Sequence, residues 1–289
     1  MTTVLITGAS GFIGRSLAPV LRQAGIRTVG GSRAAQELPD FDRVYRARLG
    51  DSLQPILEAE PVDVIVHGAL AEGPEAYEIN VAGTTRWLEE AKAAGVGLQI
   101  FLSTLSATAD AASDYGRAKF ALQQRFTAAG EVIFRLGVVV GDGGMFGRMR
   151  ESARRYPVVP MLDGGEQLVY VLGIGYLAAI LRDCILQNGE GLNGRAWNPH
   201  QPRAYTLREV MQAILRHYGY RRLLLPIPAR PILALLRAAE KLPGVKLPIT
   251  SANVMGLVRQ GRQQIPSDFD RFGYGEETLE ALIGRLAAR

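Results

Sequence analysis

A glycine-rich segment near the N-terminus, Thr7-Gly8-Ala9-Ser10-Gly11-Phe12-Ile13-Gly14, constrains the fold more than any other feature of the sequence. It follows an apolar run at residues 3–7 that is typical of a buried strand, and it leads into apolar residues at helical spacing. Glycines at these positions allow a tight turn and a close approach of the backbone to a diphosphate. The segment therefore predicts a strand–turn–helix unit whose helix N-terminus binds the phosphates of a dinucleotide. The residues expected to bind are Gly8, Ser10, Gly11, Phe12, Ile13 and Gly14. The alternative is a glycine-rich turn without a ligand.

The first half of the chain alternates short β-branched runs with longer helical patterns. Runs that predict strands lie at residues 3–7, 27–31, 44–46, 62–66, 99–102 and 132–136. Helical patterns lie at residues 13–24, 53–60, 77–94 and 115–129. This alternation predicts an α/β fold, a Rossmann-type doubly wound parallel sheet whose strands all end at the edge where ligands bind.

The alternation weakens after about residue 145, where prolines become frequent and helical patterns follow one another without strong strands between them. We predict a dinucleotide-binding domain over residues 1–155. Residues 156–289 are expected to form a smaller, mostly helical C-terminal substrate lobe, with some chain around 169–181 returning to the sheet. An apolar stretch at 223–237 is interrupted by prolines and an arginine, and a core-facing helix is favoured there over a peripheral membrane contact.

Composition excludes several classes of protein. The single cysteine, Cys184, rules out an intrachain disulfide framework and fits a reducing, cytoplasmic location. The net charge of +5 is spread along the chain without a dense basic cluster, so we expect no nucleic-acid partner. No apolar run reaches the roughly 20 residues that a membrane-spanning helix needs. The three histidines are widely separated, and no metal site is expected.

The end of the second predicted strand bears on the choice of cofactor. An acidic residue at this place binds the ribose 2′-hydroxyl of NAD, whereas an arginine accommodates the 2′-phosphate of NADP. The strand ends in Ser32-Arg33, with no acidic residue before Glu37. The sequence therefore favours NADP(H) over NAD(H), the alternative being that Arg33 is only a solvated loop residue.

A tyrosine and a lysine, Tyr115 and Lys119, stand four residues apart at the start of a predicted helix. Side chains at this spacing lie on one helical face. A neighbouring ammonium lowers the pKa of a phenol and makes it a usable acid or base near neutral pH. The pattern is weak by itself, but in this chain it follows both the glycine-rich segment and a strand that ends in Ser103-Thr104.

The ordered series of motifs resembles the extended and atypical short-chain dehydrogenases/reductases, the NAD(P)-dependent epimerase/dehydratase family. The resemblance begins with the glycine-rich segment and continues with Asp51, residues 66–69 and 80–84, Ser103-Thr104, Tyr115 with Lys119, and residues 135–141, 206–209 and 272–274. It thus covers nearly the whole chain.

The resemblance implies an oxidoreductase, epimerase or dehydratase that acts on a hydroxyl or keto group of a small molecule, with a nucleotide-linked sugar as the expected substrate. It places the phosphates at residues 8–14 and the nicotinamide beside Tyr115, with Lys119 on the adjoining ribose and Thr104 as a further catalytic residue. It also implies a homodimer. The remaining implied cofactor-binding residues are Arg33, Asp51, Gly68, Ala69, Leu70 and Asn80.

Two departures from the family pattern concern catalysis. Leu105 occupies the place where sugar epimerases carry a catalytic serine or threonine, which leaves Thr104 or Ser106 to supply the hydroxyl. The segment between Ser103 and Tyr115 is also short, as in the atypical branch. The alternative hypothesis is therefore a non-catalytic NADP(H)-binding scaffold or sensor.

Overall fold

The computed structural model of the chain describes residues 1–34, 36–240 and 264–286. Two compact units make up this structure. The first comprises residues 1–109, 114–136 and 174–199; the second comprises residues 110–113, 137–173 and the described part of 200–289.

Twelve strands and nine helices, numbered in chain order, make up the regular structure of the described residues. The strands are β1 (Thr3–Thr7), β2 (Arg27–Ser32), β3 (Arg43–Arg46), β4 (Val64–His67), β5 (Leu98–Thr104), β6 (Val132–Leu136), β7 (Val138–Val140), β8 (Val158–Leu162), β9 (Leu168–Gly173), β10 (Ala196–Trp197), β11 (Ala204–Thr206) and β12 (Leu223–Ile227). The helices are α1 (Phe12–Gln23), α2 (Gln54–Ala59), α3 (Ala76–Ala93), α4 (Asp114–Ala128), α5 (Gly144–Arg155), α6 (Ile174–Leu186), α7 (Leu207–His217), α8 (Ala229–Glu240) and α9 (Leu279–Gly284).

A seven-stranded parallel sheet forms the centre of the first unit, with the strand order β10-β6-β5-β4-β1-β2-β3. The order reverses between β1 and β4, which is the point where doubly wound sheets open a crevice for ligands. The carboxyl ends of all these strands lie along one edge. The predicted Rossmann-type α/β fold is confirmed.

The core of the first unit forms because the central strands are apolar on both faces. Leu5 and Ile65 of the sheet pack with Trp87 of α3, and Phe101 and Phe126 belong to a neighbouring cluster that joins β5 to α4. On α1, Leu17 and Leu21 are buried, as expected from their helical spacing.

The sequence suggests that residues 169–181 return to the central sheet, but the strand that does so is β10. β9 instead lies in a separate three-stranded sheet of the second unit, ordered β11-β9-β7. The segment that rejoins the first unit is 174–199, and β10 pairs with the outer edge of β6. An apolar run predicts a buried strand but does not determine which strand it pairs with.

The second unit combines helices with two small sheets. The β11-β9-β7 sheet and the parallel pair β12-β8 accompany helices α5, α7, α8 and α9, so strands contribute more to this lobe than the sequence indicates. The second unit also includes residues 137–155, which the sequence analysis places in the dinucleotide-binding domain. The apolar stretch at 223–237 begins as strand β12 and continues into helix α8. The sequence also predicts a helix at 232–242; α8 covers it up to Glu240, and residues 241–242 lie outside the described residues. Along the described chain, no helix has the length and hydrophobicity to cross a membrane.

Candidate functional site

The loop between β1 and α1 has the conformation that the glycine-rich segment predicts. Gly8 adopts φ +73°, a left-handed conformation that favours glycine. The amide groups of Gly8 and Ala9 both donate to the carbonyl of Gly31, at 2.9 and 3.0 Å. A Cβ atom at Gly8 would lie 2.8 Å from the carbonyl oxygen of Gly68. The loop therefore fits closely between β2 and the turn after β4, with no room for a side chain.

The start of α1 is open to an anion. Gly11 is the N-cap residue, and no side chain of the described residues caps this end of the helix. A Cβ atom at Gly14 would lie 2.7 Å from the carbonyl oxygen of Ala9, so the glycine lets the first turn of the helix approach the loop. Phe12 and Ile13 complete this first turn. An uncapped helix N-terminus with a positive dipole end is a binding site for phosphate.

The end of β2 contacts the same loop. The hydroxyl of Ser32 is buried and donates to the hydroxyl of Ser10 at 2.9 Å. The next residue, Arg33, is exposed. Arg33 therefore follows the residue that contacts the glycine-rich loop, at the position from which a residue reaches the adenine ribose in this fold.

The turn after β4 is held by the hydroxyl of Thr7. This hydroxyl accepts from the amide of Gly68 at 3.1 Å and from that of Ala69 at 3.3 Å. The following residue, Leu70, is 39 % exposed although it is apolar. Thr7 thus ties two neighbouring turns together, a role that sequence reasoning missed; the signal for it is a polar residue at the end of an otherwise apolar strand.

Asn80 lies in α3 and is buried. Its amide oxygen accepts from the backbone amide of Ala71 at 2.9 Å, and its amide nitrogen donates to the carbonyls of Ala71 and Ala76. Both ends of the side chain are therefore used to hold the loop that follows Leu70. Its role as a cofactor-binding residue stays a prediction.

Asp51 follows β3 and is exposed. Its carboxylate accepts from the amide of Arg48 at 3.3 Å, and its backbone carbonyl accepts from the indole nitrogen of Trp87 at 2.8 Å. The backbone is thus anchored to α3 while the carboxylate stays at the surface. Its role as a cofactor-binding residue stays a prediction.

Lys119 belongs to α4 and is buried. Its ammonium nitrogen donates to the carbonyl of Leu102 at 2.7 Å and lies 4.6 Å from the centre of the Phe101 ring. Burial lowers the pKa of Lys119 to about 8. The ammonium is therefore fixed at the carboxyl end of β5, with a pKa close to neutral.

Tyr115 lies one helical turn before Lys119, in the first turn of α4, and is 44 % exposed. An aromatic side chain this exposed is available to a ligand at the sheet edge. The two residues thus differ in environment, because the phenol is accessible whereas the ammonium is buried below it.

Hydroxyl groups at the end of β5 form a small cluster. The hydroxyls of Thr104 and Ser106 lie 3.1 Å apart, and Thr104 also accepts from the backbone amide of Ser106 at 3.3 Å. Between them, Leu105 is buried, and its amide donates to the carbonyl of Leu136 at 3.0 Å. Leu105 therefore extends the strand pairing, while two hydroxyls flank it.

Arg135 supports this segment from the neighbouring strand. Its guanidinium donates to the carbonyl of Leu105 at 3.3 Å, and its buried Nε has no hydrogen-bond partner among the described residues. Burial lowers the pKa of this guanidinium. Arg135 is a positioning residue for the Leu105 backbone.

His67 occupies the end of β4 and is buried, as expected of a structural histidine. Its Nε2 lies 2.9 Å from the side-chain oxygen of Gln99, and its ring packs edge-on against Phe126. Burial lowers its pKa to about 4, and the charge of Lys119 acts in the same direction. The imidazole is therefore neutral at physiological pH.

The described chain contains no group of three or more side chains suited to hold a metal ion. Cys184 is buried in α6, and burial raises its pKa to about 12. A thiol in this state is an unreactive core residue.

These residues fit a dinucleotide. The β1–α1 loop is packed so closely that a Cβ atom at Gly8 or Gly14 would meet backbone atoms, and it is followed by an uncapped helix N-terminus. Loops after β1, β2, β4 and β5 converge on one sheet edge because their strands are parallel and adjacent. The phosphate loop, Arg33, the Gly68–Leu70 turn, Thr104 and Lys119 therefore share that edge. The residues of the sequence-predicted site belong to the first unit.

Solved structures of known proteins share this fold. UDP-glucose 4-epimerase from Thermus thermophilus has a TM-score of 0.67 at 19 % identity, over 91 % of this chain and 100 % of that one. UDP-N-acetylglucosamine 4-epimerase from Bacillus cereus has a TM-score of 0.64 at 17 % identity, over 92 % and 99 %. The protein gox2253 has a TM-score of 0.75 at 17 % identity, over 98 % and 96 %.

No curated protein sequence matches the chain. The sequence pattern of the "NAD dependent epimerase/dehydratase family" matches residues 4–155, which is more than half of the chain. The matched region contains the glycine-rich loop, Tyr115 and Lys119. The chain therefore belongs to the NAD dependent epimerase/dehydratase family, a family of enzymes.

Proposed function

We propose that the protein is an NAD(P)-dependent enzyme that oxidises, epimerises or dehydrates a nucleotide-linked sugar at a hydroxyl or keto group. The observation that carries this proposal is the pairing of an exposed Tyr115 with a buried Lys119 one turn away, next to the end of β5. Family membership supports the dinucleotide chemistry in general. The bound nicotinamide would accept or donate the hydride.

Tyr115 is the proposed acid or base of the reaction. Its hydroxyl would take a proton from a substrate hydroxyl or return one to a carbonyl oxygen. The buried ammonium of Lys119 would favour the ionised phenol electrostatically and hold the ribose of the cofactor. Thr104 and Ser106 would orient the substrate through the two hydroxyls that flank Leu105.

The substrate class rests on structural relatives. The neighbours that share the fold include enzymes named for UDP-glucose and UDP-N-acetylglucosamine. The structural similarity shows a common fold, but the sequence identity is low. We therefore propose sugar nucleotides as the substrate class of this chain and name no single compound.

For the cofactor we propose a preference for NADP(H). The exposed Arg33 follows β2 directly, and the neighbouring Ser32 is hydrogen-bonded to the phosphate loop. A guanidinium at this place would pair with a 2′-phosphate. The Thermus thermophilus epimerase is a complex with NAD, and the proposed preference for NADP(H) therefore rests on Arg33 of this chain.

Tyr115→Phe tests the catalytic role. This variant removes one hydroxyl and keeps the ring, so turnover should fall about 100- to 10,000-fold. Affinity for the dinucleotide should stay close to that of the wild type. The measurements are conversion of UDP-glucose and UDP-N-acetylglucosamine by chromatography and NADPH titration by fluorescence. Wild-type turnover in the variant would exclude Tyr115 as the acid or base.

Leu105 favours a second candidate, a non-catalytic scaffold or sensor that binds NADP(H). Its buried side chain stands where related epimerases carry a hydroxyl, and its amide is used in strand pairing. Binding of NADPH without conversion of any sugar nucleotide or simple ketone would favour this candidate. The homodimer and the cytoplasmic location stay proposals, tested by light scattering and by fractionation of cells.

A further inference from the structure

A two-stranded sheet in the second unit presents an apolar face to solvent. β8 and β12 pair in parallel, with Leu223 beside Val158 and Leu225 beside Pro160. Residues directly paired in a sheet point to the same side, so these four side chains share one face. Leu223 is 60 %, Leu225 42 % and Val158 39 % exposed, and Pro160 is exposed as well. We call these four residues the β8–β12 face.

On the opposite side of the same sheet the residues of β8 are buried, whereas those of β12 are half-buried at Leu224 and exposed at Pro226. Val159 and Met161 alternate with the exposed residues of β8 and are buried. The sheet is also anchored at one end, where Arg222 donates to the carbonyls of Ala153 and Arg154 at 2.8 and 3.0 Å. The β8–β12 face is therefore carried by a sheet that packs through β8 and through the hydrogen bonds of Arg222. A core-facing position, which the sequence favours for this stretch, does not apply to Leu223 and Leu225.

Exposed arginines lie close in sequence to both ends of the face. Arg155 precedes β8, and its guanidinium lies 5.6 Å from the ring centre of Tyr156, which is itself exposed. Arg221 is exposed and stands two residues before Leu223, in step with the outward side chains. Arg230 is exposed beyond the other end.

The acidic groups near the face do not cancel this charge. Glu151 is paired with Arg154, and the carboxylate of Asp163 accepts from the amide of Ala229 at 2.7 Å. The guanidinium groups of Arg155, Arg221 and Arg230 make no ion pair with a described carboxylate. The face is thus apolar in the middle and positively charged at its ends.

We propose that the β8–β12 face docks on the surface of a lipid bilayer that contains anionic lipids. Leucine and valine side chains insert at the boundary between headgroups and acyl chains, a tyrosine suits the headgroup level, and arginines pair with lipid phosphates. This peripheral contact needs no membrane-spanning helix and is independent of the proposed catalytic role.

The charges argue against two other occupants. A second copy that met this face by two-fold symmetry would bring the same arginine-bearing ends together, which is repulsive unless anions separate them. A single-stranded nucleic acid binds to aromatic platforms, whereas the centre of this face is aliphatic. An anionic bilayer complements both the apolar centre and the positive ends.

Vesicle sedimentation with the full chain tests the proposal. The wild-type protein should sediment with vesicles of phosphatidylcholine and phosphatidylserine, and less with phosphatidylcholine alone or at high salt. Leu223→Ser/Leu225→Ser and, separately, Arg155→Glu/Arg221→Glu should each weaken the partitioning by at least about tenfold. Thermal unfolding checks that both variants are folded.

Matched controls lie in the first unit. Leu186→Ser removes an apolar side chain that is 57 % exposed, and Arg22→Glu/Arg46→Glu reverses two exposed arginines. Both should bind vesicles like the wild type. The proposal is overturned if the wild type does not sediment, or if the controls lose binding as much as the face variants. It is also overturned if Leu223→Ser/Leu225→Ser abolishes a dimer seen by light scattering, or if the face binds single-stranded RNA instead of vesicles.

Discussion

The two ends of the candidate site are built in opposite ways. At the β1–α1 loop the functional groups are backbone amides, and the sequence contributes by leaving side chains out, at Gly8 and Gly14. At the end of β5 the functional groups are side chains, and their environments decide what they can do. Tyr115 is exposed, Lys119 is buried, and Leu105 fills a place between two hydroxyls.

Because of this difference, the geometry of the β1–α1 loop can be predicted from the sequence more completely than the geometry at the end of β5. Gly8 adopts a left-handed conformation, and its missing Cβ atom would lie 2.8 Å from a backbone atom. Few residues can replace such a glycine, so the glycine motif predicts the backbone geometry of the loop directly. A hydroxyl has many acceptable places, and its direction depends on the whole fold. Substitutions at the loop should therefore weaken cofactor binding and folding more than substitutions at the tyrosine end that keep the shape of a side chain.

The largest effect on cofactor binding and stability is expected from Gly8→Ala. The added methyl group would meet the backbone of Gly68, so the loop must move away from the position that binds phosphate. We expect affinity for NADPH to fall at least about 100-fold and the free energy of unfolding to fall by about 2–3 kcal/mol. Calorimetric titration and chemical unfolding measure the two effects.

Gly25→Ala is the matched control for this prediction. Gly25 has φ +72°, nearly that of Gly8, but nothing lies within 4 Å of its missing Cβ atom. The backbone strain is therefore equal and only the steric conflict differs. Gly25→Ala should lose about 1 kcal/mol of stability and no affinity for NADPH. Equal loss of affinity in both variants would refute the steric explanation.

The second effect concerns the buried charge of Lys119. Its pKa in the folded protein is about 8, against an ordinary value of 10.5, so the folded state holds the proton less tightly than the unfolded chain. The charged form then costs about 3 kcal/mol below pH 8, and this cost disappears as the pH rises from 8 to 10.5. Because Lys119→Met has no such proton, the wild type should gain stability relative to this variant over that range.

Urea unfolding at pH 7, 8, 9, 10 and 11 measures this prediction, because this series brackets both pKa values, about 8 in the folded state and 10.5 in the unfolded chain. Lys92→Met serves as the control, since Lys92 is exposed in the last turn of α3. Its stability should follow the wild type at every pH. A stability difference between wild type and Lys119→Met that does not change with pH would contradict the buried-charge interpretation.

The smallest effect is expected at Arg33, which acts from the rim of the loop. Arg33→Ala should weaken NADPH binding about tenfold and leave NADH binding unchanged, because only the former carries a 2′-phosphate. Arg22→Ala, also exposed, should change neither affinity. Parallel titrations of both cofactors distinguish the outcomes, and an equal loss for NADH and NADPH would remove the proposed role.

Much of the first unit is predictable from local patterns. The strands at 3–7 and 132–136 coincide with β1 and β6, and the helix predicted at 77–94 differs from α3 by one residue at each end. Such segments have long periodic or continuous apolar patterns and clear glycine stops. The second half is harder to predict, since short apolar runs such as β9 pair with strands that are distant in sequence.

Several contacts at the candidate site have no sequence signal. Each of three such contacts joins residues whose proximity depends on how different segments of the chain pack. They are the hydrogen bonds between Lys119 and the Leu102 carbonyl, between Asn80 and Ala71, and between Arg135 and the Leu105 carbonyl. Their residue types allow many other partners, so only three-dimensional placement selects among them.

The sequence by itself determined the sheet and the conformation of the glycine-rich loop, because glycine spacing and apolar periodicity act through local sterics and burial. Tertiary structure alone decided how individual side chains are used. It exposed Tyr115, buried Lys119 with a pKa of about 8, placed Leu105 in the strand pairing and left Leu223 and Leu225 on a solvent-facing sheet. Burial and hydrogen-bond direction depend on neighbours far away in the chain, and local sequence does not specify them.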